Sequence, residues 1–285
     1  MTPQRCIACD ADAWSPLYRG LVRCRECGFV RAATLPTPEE IAGLYGSGYF
    51  EGEEYVDYLG DERAHVQNFR RRFERITALA GPIGSLYEIG CAYGFWLRTA
   101  AEHGVRAAGI DVSPQAVRYA AETLRVNATL GAFEDAPIEP GAYRVVCMWD
   151  TLEHLAHPES CVGKIARILP RGGWLFLTTG DIGSPLARRQ AERWRMIHPP
   201  THLQYFSRDS LTRFLARAGL RVAHVESTSV CRSLYGALEG VKRFGSGPSR
   251  TVARIVSPLL PRRIATRLRF SIDVGDIMLV GARRD

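Results

Sequence analysis

Lysine is almost missing from this chain. Of its 285 residues only Lys164 and Lys242 are lysines, so the formal charge of +7 rests on arginine. Such a bias points to a GC-rich genome before it points to nucleic acid, and net charge alone sets only a prior on partners. Long hydrophobic runs are missing too. The longest, residues 174–179 (WLFLTT) and 277–282 (IMLVGA), fall far short of the roughly 18 to 20 residues a membrane-spanning helix needs. The opening MTPQRCIACDAD holds no apolar stretch suited to a secretory signal, and the expectation is a cytoplasmic protein. What is present is ordinary for a globular domain, with 46% hydrophobic and 24% charged residues. The length suits one main α/β-sized domain with a small addition.

The eight cysteines are not spread as a disulfide framework. Cys6 and Cys9 form one Cys-x-x-Cys pair, Cys24 and Cys27 another, with fourteen residues between the pairs and Gly28 following. Each pair turns two thiolates to one side, and two pairs complete the tetrahedral sulfur shell that Zn2+ prefers. Two disulfides would not persist in a reducing compartment, and a thioredoxin-like redox centre needs only one pair beside a βαβ unit. A closed four-thiolate shell leaves no position for substrate. Zinc is therefore expected as a structural ion, supplying folding free energy to a unit over residues 1–35 too small to fold alone. Cys91, Cys147, Cys161 and Cys231 lack such spacing and read as small buried apolar side chains.

Residues 36–82 read as a helical linker or lid. LPTPEE signals a helix start, with Pro38 in the first turn and Glu39 and Glu40 complementing the N-terminal dipole. The aperiodic stretch after it carries Tyr49, Phe50, Tyr55 and Tyr58, aromatics placed to close over a substrate. Val66, Phe69, Phe73, Ile76 and Leu79 then recur at helical spacing, and most of Arg63, Arg70, Arg71, Arg72 and Arg75 fall on the other face, read as solvated.

An apolar strand over 86–89 runs into Gly90-Cys91-Ala92-Tyr93-Gly94, a periodic helix follows, and a second strand ends at Asp111. This is a βαβ unit that sets a nucleotide-like ligand over a glycine turn, with an acid for ribose hydroxyls. The dinucleotide pattern G-x-G-x-x-G is absent. The stretch resembles the first motif of class I S-adenosylmethionine-dependent methyltransferases, acid-x-Gly-x-Gly-x-Gly, on Glu88, Gly90, Ala92 and Gly94, with Asp111 at the ribose-binding acid; Ala92 replaces the middle glycine.

The resemblance implies an α/β fold over residues 83–285, a doubly wound, mostly parallel, seven-stranded Rossmann-like sheet. It also implies S-adenosylmethionine as cofactor, held by Glu88, Gly90, Cys91, Ala92 and Gly94, by Asp111 with Val112, by Phe133 and Glu134 near the adenine, and by Trp149 and Asp150 near the methionine part. The sulfonium carries its own activated methyl, so the protein need only align an acceptor and take up its proton.

Three histidines stand out. His154 lies in DTLEHLAHPES just after the fourth strand, where the resemblance implies a cofactor-shell position. His198 and His202 flank Pro199-Pro200 in MIHPPTHLQYFS, at the end of a long connection above the pocket. HLQYFS is similar to the HLSYFS of zinc-containing sugar C-methyltransferases, whose opening histidine is a general base; that implies a base at His202, whose imidazole titrates near neutrality. Contact with substrate or cofactor, or buttressing of the helix capped by Ser207, are the alternative roles. His154 and His198 are secondary catalytic candidates.

Between the sixth and last strands, residues 230–270 form a helical insertion, read as two amphipathic helices split by GSGPS. Its arginines over 243–269 suit an anionic substrate group, a peripheral membrane surface or a homodimer contact. The leading expectation is methylation of a small-molecule acceptor (a sugar, polyketide or lipid-linked intermediate), at oxygen before carbon. An RNA base methyltransferase and a non-catalytic zinc-ribbon scaffold that binds S-adenosylmethionine are the rivals.

Overall fold

Short β-rich runs near the N-terminus form β1 (Trp14–Pro16), β2 (Leu21–Cys24) and β3 (Val30–Ala32) in a computed structural model that describes residues 5–37, 40, 43, 57–244 and 247–285. The chain then enters the helix Glu62–Ala80, which ends at Gly81 with φ 75°. Alternating strands and helices follow: β4 (Ser85–Ile89), β5 (Arg106–Asp111), β6 (Ala128–Leu130), β7 (Val145–Trp149) and β8 (Trp174–Gly180). The remaining strands are β9 (Gln204–Tyr205), β10 (Leu220–Ser227), β11 (Val230–Ser233), β12 (Arg269–Ile272) and β13 (Ile277–Arg284).

Seven of these make the main sheet in the order β10-β13-β8-β7-β4-β5-β6. β4 pairs in parallel with both β5 and β7, and β13 runs antiparallel to its neighbours β8 and β10. Every residue of β7 and β8 is buried, as expected of central parallel strands covered by helices on both faces. The connections reverse direction on either side of β4, so a crevice opens outside its carboxyl end, at the glycine turn.

The helix Glu62–Ala80 departs from expectation at one residue. Arg72 is only 8% exposed and sits among the buried residues Phe69, Phe73 and Ile76. The spacing 69, 72, 73, 76 is itself one helical face, so this arginine belongs to the core side and not to solvent.

The aromatic loop before the helix is described only at Tyr58, which is buried and stacks on His65 at 4.0 Å and on Phe95 at 5.8 Å. Tyr49, Phe50 and Tyr55 lie outside the described residues, as do Pro38 and Glu39. Thr37 and Glu40 do cap each other, the Thr37 N–H donating to the Glu40 carboxylate at 2.8 Å.

The boundary expected at residue 35 does not separate two cores. β1, β2, β3 and β9 form one antiparallel sheet, with Val30 opposite Tyr205 and Arg31 opposite Gln204. Phe29 packs on Phe206 with ring centroids 5.0 Å apart. The cysteine unit is thus built onto the connection that carries the histidines.

The 230–270 insertion contains the two expected helices, Leu234–Phe244 and Gly247–Val256. It also contains an unexpected antiparallel ribbon, β11 with β12, that closes its base. Asn68 fastens the ribbon to the long helix, its amide accepting from the Cys231 N–H at 2.6 Å and donating to the Cys231 carbonyl at 3.0 Å. Val252, Ile255 and Leu259 are exposed on the insertion.

Candidate functional site

The turn after β4 takes its shape from left-handed backbone at Gly90 (φ 74°), Ala92 (φ 43°) and Gly94 (φ 79°). A Cβ at Gly90 would come within 2.6 Å of Thr151 Oγ1, and one at Gly94 within 2.9 Å of Ala120 Cβ. Glycine is therefore required at both by conformation and by space. Ala92 occupies the middle position on its small size.

Asp111 ties this turn to β5. Its Oδ2 accepts the Ala92 N–H at 2.8 Å and its Oδ1 accepts the Ser113 N–H at 2.9 Å. Burial raises its carboxyl above the usual range, while the N–H groups of Ser113 and Ala92 pull it back. Each oxygen keeps a second lone pair for an incoming hydroxyl. Val112 beside it is 46% exposed, an apolar side chain at the mouth of the crevice.

Glu88 is 2% exposed, and its Oε2 meets no hydrogen-bond partner among the described residues. Burial pushes its carboxyl well above the ordinary value, and the nearby Asp111 adds to this. An orphaned acceptor beside a glycine turn with no spare room fits a ligand that brings its own donor, as the amino group of S-adenosylmethionine would.

Other expected contacts are placed more narrowly. Cys91 is buried and gives its N–H to the Ile110 carbonyl at 3.1 Å, so it braces the turn. Phe133 turns its ring into the core against Tyr87, and Lys164 lies 4.8 Å over that ring. The Lys164 ammonium also donates to the carbonyls of Phe133 and Glu134 at 2.6 and 2.9 Å, leaving backbone N–H groups as the means by which these two could meet an adenine.

At the end of β7, Asp150 has φ 52° and accepts from Thr178 Oγ1 at 2.9 Å. Arg72, grouped in the sequence with the arginines of a solvated face, reaches the other Asp150 oxygen at 3.4 Å and lies over the Trp149 ring at 5.0 Å. A cavity of about 370 Å³ opens beside Arg72, lined among others by Asn68, Arg71, Arg75, Glu226 and Asp273.

The three histidines do come together. His202 and His198 have ring centroids 3.8 Å apart, and His202 and His154 4.6 Å apart. Their Nδ1 atoms meet Met196 O at 3.0 Å, Thr201 Oγ1 at 2.7 Å and Thr201 O at 2.9 Å respectively. His202 is 4% exposed, and burial holds its imidazole well below the usual value; burial also pushes His154 and His198 down to about 4. None of the three lines the cavity. In this structure His202 is a buried imidazole held by the Met196 carbonyl, and a general base must reach the proton it takes. Glu153, also 2% exposed, joins the cluster; the sequence reading passed over it although it directly precedes His154.

The cysteines converge as well. Cys6 and Cys27 have their sulfurs 3.5 Å apart and Cys9 and Cys24 3.6 Å apart, all four thiols lie within 4.8 Å of one another, and none is disulfide-bonded. Burial raises the Cys27 thiol to about 11.

A family model described as "Methyltransferase domain" matches residues 61–225, more than half of the chain. The "Ubiquinone biosynthesis O-methyltransferase" of Burkholderia pseudomallei is 28% identical over 151 residues, which cover 49% of this chain and 65% of that protein. The protein of the same name from Thiobacillus denitrificans is 35% identical over 98 residues, 32% of this chain and 42% of the relative. The chain thus spans less than two thirds of these relatives' length. An S-adenosylmethionine-dependent methyltransferase from Thermotoga maritima superposes with a TM-score of 0.50 at 18% identity, covering 79% of this chain and 91% of that one, a likeness of fold. The glycine turn, the acid closing β5, the seven-strand order and the family match together place this chain among the class I S-adenosylmethionine-dependent methyltransferases.

Proposed function

We propose that the protein transfers a methyl group from S-adenosylmethionine to an oxygen of a small polar acceptor, with a zinc ion holding the four-cysteine unit. The observation that carries the acceptor class is the cavity of about 370 Å³ lined by Arg72, which itself reaches Asp150. Its size suits a small molecule and not a polynucleotide, and its mixed lining of arginines and carboxylates suits a polar group. The names of the relatives support oxygen as the accepting atom.

The cofactor supplies the activated methyl; the chain's own contribution is alignment. Gly90, Ala92 and Gly94 would receive the cofactor's chain, Asp111 its ribose, and Glu88 and Asp150 its amino-acid end. Arg72 would couple that end to the acceptor cavity. Sulfur separations of 3.5 and 3.6 Å lie close to the ~3.8 Å edge of a tetrahedron with Zn–S bonds of about 2.3 Å, which supports zinc in the cysteine cluster.

The test is transfer of labelled methyl from the cofactor into a small-molecule extract and, in parallel, into RNA. Label in small molecules that disappears in Asp111→Ala supports the reading. Label confined to RNA would overturn it, and label in neither would favour a binding scaffold.

A further inference from the structure

We propose that the helical insertion of residues 230–270 docks the protein on an anionic lipid surface, lying against the bilayer. Among the described residues ten large hydrophobic side chains are exposed, and seven of them fall between Val252 and Ile272. Monomeric proteins keep exposed apolar patches small, so such a concentration marks a contact surface. The same stretch is basic throughout. Residues 240–272 hold eight lysines and arginines and neither Asp nor Glu.

Local structure holds these side chains outside. The helix Gly247–Val256 buries Ala253 and leaves Val252 and Ile255 exposed, and Leu259 continues their row at the next turn; Ile255 is 61% and Leu259 74% exposed. Further along, the Leu268 N–H donates to the Ile264 carbonyl at 3.2 Å, which sets these two exposed side chains one helical turn apart. Arg263 and Arg267 repeat that spacing on the adjacent row. On β12, Phe270 and Ile272 are two residues apart and share one face of the ribbon.

Charge decides the occupant. Arg262 pairs with Asp57, and Arg250 gives its Nε–H to the Lys242 carbonyl at 2.9 Å. Arg254, Arg263, Arg267 and Arg269 are exposed. A second copy placed symmetrically on this patch would set arginine against arginine with no carboxylate to answer. A polynucleotide would answer the charge, but it binds through stacked aromatics, and the exposed apolar set is aliphatic apart from Phe270. An anionic bilayer supplies both needs, phosphates for the guanidinium groups and acyl chains for the aliphatic row.

The ribbon brings this surface to the rim of the acceptor cavity. Arg71 and Asp273 line the cavity, and Arg71 donates to the hydroxyl of Ser271 on β12. Docking would present the cavity to acceptors held at the lipid surface. That consequence rests on the acceptor reading above, whereas the docking itself does not.

The full chain should float with vesicles made of equal phosphatidylcholine and phosphatidylglycerol, and remain behind with phosphatidylcholine alone. Added salt should weaken the binding, a readout that needs no variant to fold. The pair Ile255→Ser with Leu259→Ser and the pair Arg263→Gln with Arg267→Gln alter exposed side chains only. Both should keep their affinity for S-adenosylmethionine and lose vesicle binding, the arginine pair by about fivefold per charge removed. Vesicle binding is read without methyl transfer, so it succeeds or fails independently of the acceptor. Absence of flotation with the anionic vesicles, flotation unchanged in both double variants, or retention by single-stranded RNA without flotation would overturn the proposal.

Discussion

The guanidinium of Arg72 lies over the indole of Trp149 with its central carbon 5.0 Å from the ring centroid. This pair joins the long helix of residues 62–80 to the end of β7, and Arg72 then reaches the Asp150 carboxylate at 3.4 Å. Lysine would keep the charge but lose the flat face and the fork. Arg72→Lys should therefore weaken S-adenosylmethionine binding by about tenfold, or about 1.4 kcal/mol, read by calorimetric titration. Unchanged affinity would separate Arg72 from the cofactor site.

The two small residues of the glycine turn should respond unequally. Gly90→Ala forces a Cβ to within 2.6 Å of Thr151 Oγ1 at φ 74°, and a loss of about 1–3 kcal/mol follows from overpacking and strain. Ala92→Gly relieves a left-handed alanine at φ 43° and loosens the unfolded chain by a similar amount, so stability should move by less than about 1 kcal/mol. Urea denaturation of both variants gives the comparison.

Chelation should open the cysteine unit before the main sheet. Because Val30 pairs with Tyr205 and Phe29 packs on Phe206, loss of the ion should also raise hydrogen exchange around residues 196–206. Exchange confined to residues 5–32 would show that the coupling through β3 and β9 is weak.

His65 gives the protein an acid-sensitive element. Burial, aided by the charges of Arg72 and Arg232 and opposed by Asp150, lowers its imidazole to about 3, and it stacks on Tyr58. The unfolded side chain takes a proton near pH 6.5, which the folded one refuses. Its contribution to stability is complete above that pH and is lost as pH falls toward about 3. His65→Phe keeps the stack without the titration, so its urea midpoint should fall less between pH 7 and pH 5 than that of the unaltered protein. Equal falls would exclude His65 as a source.

Much of the fold could be read from period and punctuation. Apolar runs ending in Gly90 and Asp111 define the βαβ unit on their own, and β7, β8 and β13 also fall where apolar runs stand. The short ribbon β11–β12 escaped because strands of four residues are too short to establish a period. Arg72 escaped because charge was read before position: its spacing from Phe69 and Ile76 already placed it on the buried face. The role of His202 was drawn from a local pattern, whereas its burial is decided by Met196, His154 and His198, which only the fold assembles.

The sheet shared by β3 and β9 also sets an order of events during synthesis. Residues 30 and 31 leave the ribosome long before residues 204 and 205, so the first strands wait with one edge unsatisfied while most of the chain is made. A metal-bound cysteine knot would keep that edge in shape during the wait. The sheet of β1, β2 and β3 is then among the last parts to be completed, and removing it would expose the edge of β9 in the connection that carries the histidines.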